Sequence, residues 1–346
     1  MWKSYECSDR LDSMDWTALH ATIHQTLRQR KLLAKGQSIA LAFSAGQDSM
    51  CLLQILRDLQ PKWGWRLAIA HCNHRWPLDS AANAAHVAQL AQDWGLEHYR
   101  FTAPRVLKGE AEGRYWRYEV LKELAEAQGF SAVLTAHTAS DRAETLLYNL
   151  LRGSGMDGLQ ALAWQRPLSD QVQLIRPLLG ITRQQTGDFC TQHQLPIWED
   201  GMNQDLTYRR NQIRLDLLPQ LRQKFNPKIE TTLARTAEIL QAETDYLDQA
   251  ARQVLAQVTV LSIPSTRVAA LDRLVLQQTH LALQRRVLRL WLQQHLKIQP
   301  NFEQVEKVLA LVEGNNGDRT DPLVADLVAE VQHPWLCLYY LNACIA

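Results

Sequence analysis

The stretch Ser38-Ile39-Ala40-Leu41-Ala42-Phe43-Ser44-Ala45-Gly46-Gln47-Asp48-Ser49 constrains this chain more than any other. It opens as a short apolar run suited to a buried parallel strand. It then breaks into small and polar residues, and resumes at Met50-Cys51-Leu52-Leu53-Gln54-Ile55-Leu56 with the spacing of a helix. A strand, a tight loop of small residues and a helix start make an anion site. Small side chains let backbone N–H groups reach a phosphate, and the helix dipole favours negative charge. The Walker loop is excluded because no Gly-Lys-Ser/Thr ending follows, and the dinucleotide fingerprint because its glycine spacing is missing. An ordinary strand-to-helix turn with an Asp-Ser cap is the competing reading, so the rest of the chain has to decide.

The chain has 346 residues, enough for two domains. Its 37 Lys and Arg against 36 Asp and Glu announce no nucleic-acid partner globally, so any such partner must be read from local clusters. The N-terminus lacks the apolar core of a signal peptide, and no apolar run reaches membrane-spanning length. Six scattered cysteines, with no C-x-x-C pair, read as reduced thiols. The expectation is a cytoplasmic protein with no membrane association.

In order, the pattern predicts a helix over 16–34, the loop strand and its helix ending near Pro61, and a strand at 66–72. Further helices are expected over 79–94, 111–128 and 141–151, with strands at 98–101, 132–136 and, at the sheet edge, 173–177. Strands alternating with helices predict an α/β fold with a doubly wound, mostly parallel five-stranded sheet. Ligands then bind outside the carboxyl ends of the strands. Beyond about 216 the strands give way to amphipathic helices at 233–255, 282–296 and 302–311, with short strands possible from Val328 onward. These patterns place a first domain over 1–218 and a second, mostly helical one over 219–346.

After the fourth strand comes Ala136-His137-Thr138-Ala139-Ser140-Asp141-Arg142-Ala143-Glu144-Thr145. Asp141 and Glu144, three apart at a helix start, can face one ligand. They suit Mg²⁺ shared with phosphates, or an ammonium group; equally, they suit helix capping. His71-Cys72-Asn73-His74 has too few clustered ligands for zinc. Arg209, Arg210, Arg214, Arg222, Lys224 and Lys228 form one cationic cluster, and Arg285, Arg286 and Arg289 another on a helix. Clusters of this kind are where RNA phosphates would be met.

The loop at 44–49 resembles the pyrophosphate loop of the N-type ATP pyrophosphatases, the PP-loop superfamily; Ser44, Gly46, Asp48 and Ser49 match. A longer series resembles the tRNA(Ile)-lysidine synthetase family. It comprises that loop, His74, Arg114-Tyr115-Trp116-Arg117-Tyr118, Ala136-His137 with Asp141 and Glu144-Thr145, and Arg152-Gly153-Ser154-Gly155. Ile175-Arg176-Pro177-Leu178-Leu179, Leu195 to Asn203, Arg210-Asn211-Gln212-Ile213-Arg214 and Leu217-Leu218-Pro219 continue it. The segment 283–291 looks like the helical tRNA-binding domain that follows in the family.

The resemblance implies an adenine nucleotide alpha hydrolase-like fold and ATP-dependent attachment of free L-lysine to C2 of the wobble cytidine of tRNA(Ile) with a CAU anticodon. The reaction passes through an adenylated cytidine. It implies that Ser44, Ala45, Gly46, Gln47, Asp48 and Ser49 hold ATP, and that Asp48 and Asp141 hold Mg²⁺. Asp141 and Glu144 would serve the metal or lysine, Arg114 the lysine or the adenylated base, and Arg210 and Arg214 the reacting nucleotide. Arg214, Arg285, Arg286 and Arg289 would contact tRNA. The oligomeric state is left open, a homodimer included. Ala45 stands in place of a glycine, Ser140 in place of a frequent aspartate, and Met202 in place of a small polar residue. Phosphate binding survives the first departure if Ala45 has negative φ. A tRNA thiolase of the same fold and a non-catalytic RNA-binding protein are the rival readings.

Overall fold

A computed structural model describes residues 16–75, 80–198, 209–260, 267–296 and 298–341. The part of the loop at 76–79 and most of the motif at 199–208, Met202 included, lie outside the described residues. The chain divides into two compact units, Met1–Gln241 and Ala242–Ala346.

The first unit begins α1 (Ala18–Gln29), β1 (Ser38–Ala42), α2 (Gln47–Trp63), β2 (Arg66–Asn73), α3 (Ser80–Asp93) and β3 (Glu97–Thr102). It continues α4 (Gly109–Gln128), β4 (Ala132–Leu134), α5 (Ala139–Leu151), α6 (Met156–Leu159), β5 (Gln165–Pro167), β6 (Gln173–Ile175) and α7 (Arg183–Gln192). A helical stretch follows: α8 (Arg209–Gln212), a π-helical turn (Ile213–Leu217) and α9 (Leu218–Lys224). The long helix α10 (Ile229–Val258) runs on past the end of the unit.

The sheet has six strands in the order β3-β2-β1-β4-β6-β5. All pairs are parallel except β5 with β6. This corrects the expected five strands with 173–177 at the edge, because the short antiparallel β5 covers that edge. Pro167 is tolerated in β5 since an edge strand has N–H positions that need no ladder partner.

Both faces of the central strands are dry. Ile39, Leu41, Ile69 and Leu134 turn to one face and meet α1, α2, α3 and α7 through Ile23, Leu52, Val87 and Phe189. Ala40, Ala68, Ala70 and Val133 turn to the other and meet Leu121, Leu124 and Phe130. Alternation of side chains along each strand sorts the two sets. Gly64 ends α2 at φ 67 and donates its N–H to the Gln60 carbonyl, a left-handed cap that glycine adopts without strain.

The contact break lies inside α10, beyond the expected boundary at Leu218–Pro219. The reason is a small core in which Ile213 and Leu218 bury against Ala143 and Leu147 of α5, with Leu221, Ile229 and Leu233 around them. This core holds the π-turn, α9 and the start of α10 to the first unit.

The second unit holds β7 (Ala269–Asp272), α11 (Arg273–Gln277), α12 (Leu281–Leu296), α13 (Phe302–Ala310), β8 (Leu327–Gln332) and β9 (Trp335–Tyr340). Its three strands form an antiparallel sheet, β7-β9-β8, in which β8 and β9 lie in the region where short strands were expected and β7 was not foreseen. Val287, Leu288, Trp291 and Leu292 of α12 fill its core with Leu255 and Leu336.

Candidate active site

The loop between β1 and α2 is built as an anion cradle. Gly46 is the N-cap of α2 in an extended conformation, with no side chain capping the helix. The first N–H groups of α2 are thus left for a ligand. Ser44 and Ser49 hydroxyls lie 3.2 Å apart, Gly46 N–H donates to Ser44 Oγ, and Ser49 Oγ donates to the Gly46 carbonyl. Ala45 has φ 61, so the condition of negative φ is not met. The left-handed residue still suits a nest of successive N–H groups, at a strain of about 1–2 kcal/mol for a residue with a Cβ. Its methyl is fully buried in the core. The Gln47 side chain points elsewhere: its amide donates to the Arg183 carbonyl at 2.7 Å and to Thr186 Oγ1 at 2.9 Å, tying α2 to α7.

Beside the loop, α5 starts at Thr138, whose N–H donates to Asp141 Oδ2 at 2.8 Å in a capping box. The other oxygen of Asp141 accepts from Arg183 Nη2 at 3.0 Å and Arg210 Nη2 at 3.3 Å. One oxygen thus caps the helix while the other meets two arginines. Glu144, fully buried one turn on, accepts from Arg183 Nη1 at 3.2 Å, Arg210 Nε at 3.1 Å, and Arg214 through Nε at 2.8 Å and Nη2 at 2.9 Å. Asp48 accepts from Arg183 Nε at 3.1 Å and from the Thr186 hydroxyl. One guanidinium thus spans three carboxylates on two helices.

The electrostatics follow from this geometry. Burial would raise the Asp141 carboxyl, but Arg183 and Arg210 outweigh it and hold it well below the usual range. Asp48 is pushed up, chiefly by burial and also by Asp141, against the pull of Arg183. Arg183 itself is held above its ordinary value because three carboxylates overcome its burial. Nearby imidazoles stay neutral: burial lowers His137 to about 3 and His74 to about 4, with Arg117 adding to both.

Of the residues singled out in the sequence, the structure brings Ser44, Ala45, Gly46, Asp48, Ser49, Asp141, Glu144, Arg210 and Arg214 into this region. Arg214, expected to face the reacting nucleotide and to contact tRNA, is bound to Glu144. Arg114 stands one step out, paired at 3.2 Å with Glu110, which also takes Arg210 at 3.0 Å. Arg285, Arg286 and Arg289 belong to the second unit. There Arg285 pairs with Glu306 at 2.7 Å and Arg286 with Asp248 at 3.0 Å, and Arg289 is half-buried. Ser140 accepts from the Arg183 N–H at 3.0 Å and donates to Glu230, which also takes Arg222.

Sequence reasoning missed Arg183 and Thr186. The sequence signals only a helix start there: Thr182-Arg183-Gln184-Gln185 is a capping box, with Thr182 as N-cap and Gln185 closing it, so Arg183 is the first residue of α7. Among the described residues no group of three His, Cys, Asp or Glu side chains is arranged to hold a metal alone. Asp48 and Asp141 fit one in another way. They offer two carboxylates beside a phosphate loop, the donor set with which Mg²⁺ is held when phosphates complete its shell.

A phosphate cradle at the carboxyl edge of a doubly wound sheet, faced by carboxylates and guanidiniums, defines an enzyme that works on a nucleotide's phosphates. Residues 17–221 match the family described as the PP-loop domain, and residues 266–338 that described as the TilS-like substrate binding domain. A tRNA(Ile)-lysidine synthase from Nostoc sp. is 51% identical over 94% of this chain and 98% of its own length. One from Synechocystis sp. is 45% identical over 94% and 99%. The chain belongs to the tRNA(Ile)-lysidine synthase family. It is accordingly an ATP-dependent, carbon–nitrogen bond-forming ligase of tRNA modification.

Among solved structures, the U34-tRNA thiolase NcsA from Methanococcus maripaludis superposes with a TM-score of 0.54 at 15% identity, over 64% of this chain and 78% of that one. That likeness concerns the fold alone. No helix among the described residues is long and apolar enough to cross a membrane.

Proposed function

We propose that this enzyme, in the cytoplasm, joins free L-lysine to C2 of the wobble cytidine of a tRNA(Ile) with a CAU anticodon. The convergence of the uncapped loop with Asp48, Asp141, Glu144 and three arginines supports this most directly. The C2 oxygen of cytidine is a poor leaving group. In the first step it attacks the α-phosphorus of ATP, forming a P–O bond while the bond to pyrophosphate breaks. In the second, the lysine ε-nitrogen bonds to C2, the C2–O bond breaks, AMP leaves, and the ammonium proton passes to a base.

The loop N–H groups, Ser44 and Ser49 would hold the phosphates where charge builds on the departing pyrophosphate. Asp48 and Asp141 would hold Mg²⁺, which when bound neutralises phosphate charge. Arg183, Arg210 and Arg214 pair with these carboxylates. Arriving phosphates compete for those guanidiniums, and a carboxylate so released can take the lysine ammonium. Glu144 is the carboxylate for that role, because its four bonds all come from arginines. Its carboxylate would then receive the proton as the amine attacks.

The test separates the steps. Glu144→Gln should still release pyrophosphate with tRNA and ATP but transfer lysine poorly, so adenylated tRNA accumulates. Lysidine formation at the normal rate would remove Glu144 from the lysine site.

A further inference from the structure

A second feature of the first unit lies away from the phosphate loop. Helix α2 runs 17 residues from that loop, about 25 Å, to the opposite end of the sheet. There a cavity of about 460 Å³ is lined by His24, Arg28, Lys31, Lys35 and Lys62, over Leu33 and Trp63. Arg28 and Lys62 close the last turns of α1 and α2, where a cation complements the helix dipole. That accounts for two of the four. Lys31 and Lys35 sit outside any helix, on the segment leading into β1, and turn toward the same bowl.

All four cations are exposed, and none is ion-paired with a carboxylate among the described residues. The arginines of the active site and Arg285 and Arg286 of α12 contrast with them, being paired with carboxylates. His24 accepts from Trp63 Nε1 at 3.1 Å and is held below its ordinary pKa by burial, Lys62 and Arg28. Trp16, 45% exposed, offers its ring beside the bowl with Lys62 Nζ 5.2 Å from its centroid.

We infer that this bowl is a docking surface for the phosphodiester backbone of RNA, remote from the reaction centre. Small-anion sites are pre-formed, with donors fixed by burial. Here the donors are lysine tips on flexible stems around an open concavity, with an exposed indole alongside. That combination neutralises and tracks an extended polyanion. The inference rests on tRNA being the substrate and makes this end of the domain a second point of contact for it.

The test is binding of tRNA to the full chain without ATP or lysine, over a range of KCl concentrations. It compares the wild type with Lys31→Gln/Lys35→Gln/Lys62→Gln and with the same positions changed to Glu. The Gln variant should lose on the order of tenfold in affinity, and the slope of log K against log salt should flatten by about two to three units, near 0.7–0.9 for each of the three lost contacts. The Glu variant should bind more weakly still, and ATP binding should be unchanged in both. Unaltered tRNA affinity and slope would overturn the inference. So would inorganic phosphate shifting the His24 resonance while tRNA binding stays intact, since the bowl would then be a small-anion site. Failure of the wild type itself to bind tRNA would overturn the functional reading as well, whereas equal binding by wild type and variants would overturn this inference alone.

Discussion

At Ala45 two opposing contributions meet. Its left-handed backbone disfavours any residue with a Cβ, while its methyl is fully buried. Glycine would relieve about 1–2 kcal/mol of strain and forfeit about 0.8 kcal/mol of methyl burial. Ala45→Gly should therefore change stability in urea by less than about 1 kcal/mol, since the two contributions and the gain in chain entropy offset one another. A loss of several kcal/mol would show that packing of the methyl dominates.

Arg183 is the opposite case. Arg183→Ala leaves Asp48, Asp141 and Glu144 facing one another with part of their compensation gone, a loss of about 3–5 kcal/mol. The loss should be smaller at pH 5 than at pH 8, because carboxylates without their cation take up protons more readily. Equal losses at both pH values would contradict it. His74 supplies the converse sign. Its pKa is lowered in the fold to about 4, so the unfolded chain binds its proton first. Stability should fall as pH drops from about 6.5 towards 4, and the His74 resonance should not titrate near neutrality.

Asp48, Asp141 and Glu144 were legible in the sequence because each sits where a strand gives way to a helix, within a recognisable motif. Arg183 was not, since its partners lie 135, 42 and 39 positions away and only the fold brings them together.

Among elements, the π-helical turn between α8 and α9 is the one on which the site depends. It carries Arg214 to Glu144 while α8 carries Arg210 to the same carboxylate, and Ile213 and Leu218 anchor the segment on α5. Leu218→Ala should cost about 2–5 kcal/mol. It should also speed amide exchange over 209–224 and lower turnover before the sheet unfolds. Exchange rising uniformly across the first unit would instead mean that the segment opens only with the whole domain.

Strands β1, β2 and β4 were readable as apolar runs between helices, whereas β3, Glu97-His98-Tyr99-Arg100-Phe101-Thr102, carries no such run. β5 was not readable: Gln165-Arg166-Pro167 has neither apolar run nor alternation, and exists as a strand only because β6 offers it an edge. β7, four residues long and paired to β9 far along the chain, was equally silent.

At the scale of the molecule, each unit has its own core, and the fold class of the first followed from alternation alone. The chemistry did not. Paired carboxylates and a phosphate loop serve many reactions, and what narrows them is the run of family motifs along the chain. The proposed reaction bonds lysine to a cytidine of tRNA through an adenylated intermediate. The most direct test is mass analysis of the nucleosides of tRNA(Ile) with a CAU anticodon after incubation with the protein, ATP, Mg²⁺ and isotope-labelled lysine. The expected result is a labelled lysidine in place of one cytidine, with one AMP and one pyrophosphate released for each. Pyrophosphate release with no lysine in the RNA, or no reaction at all, would contradict it.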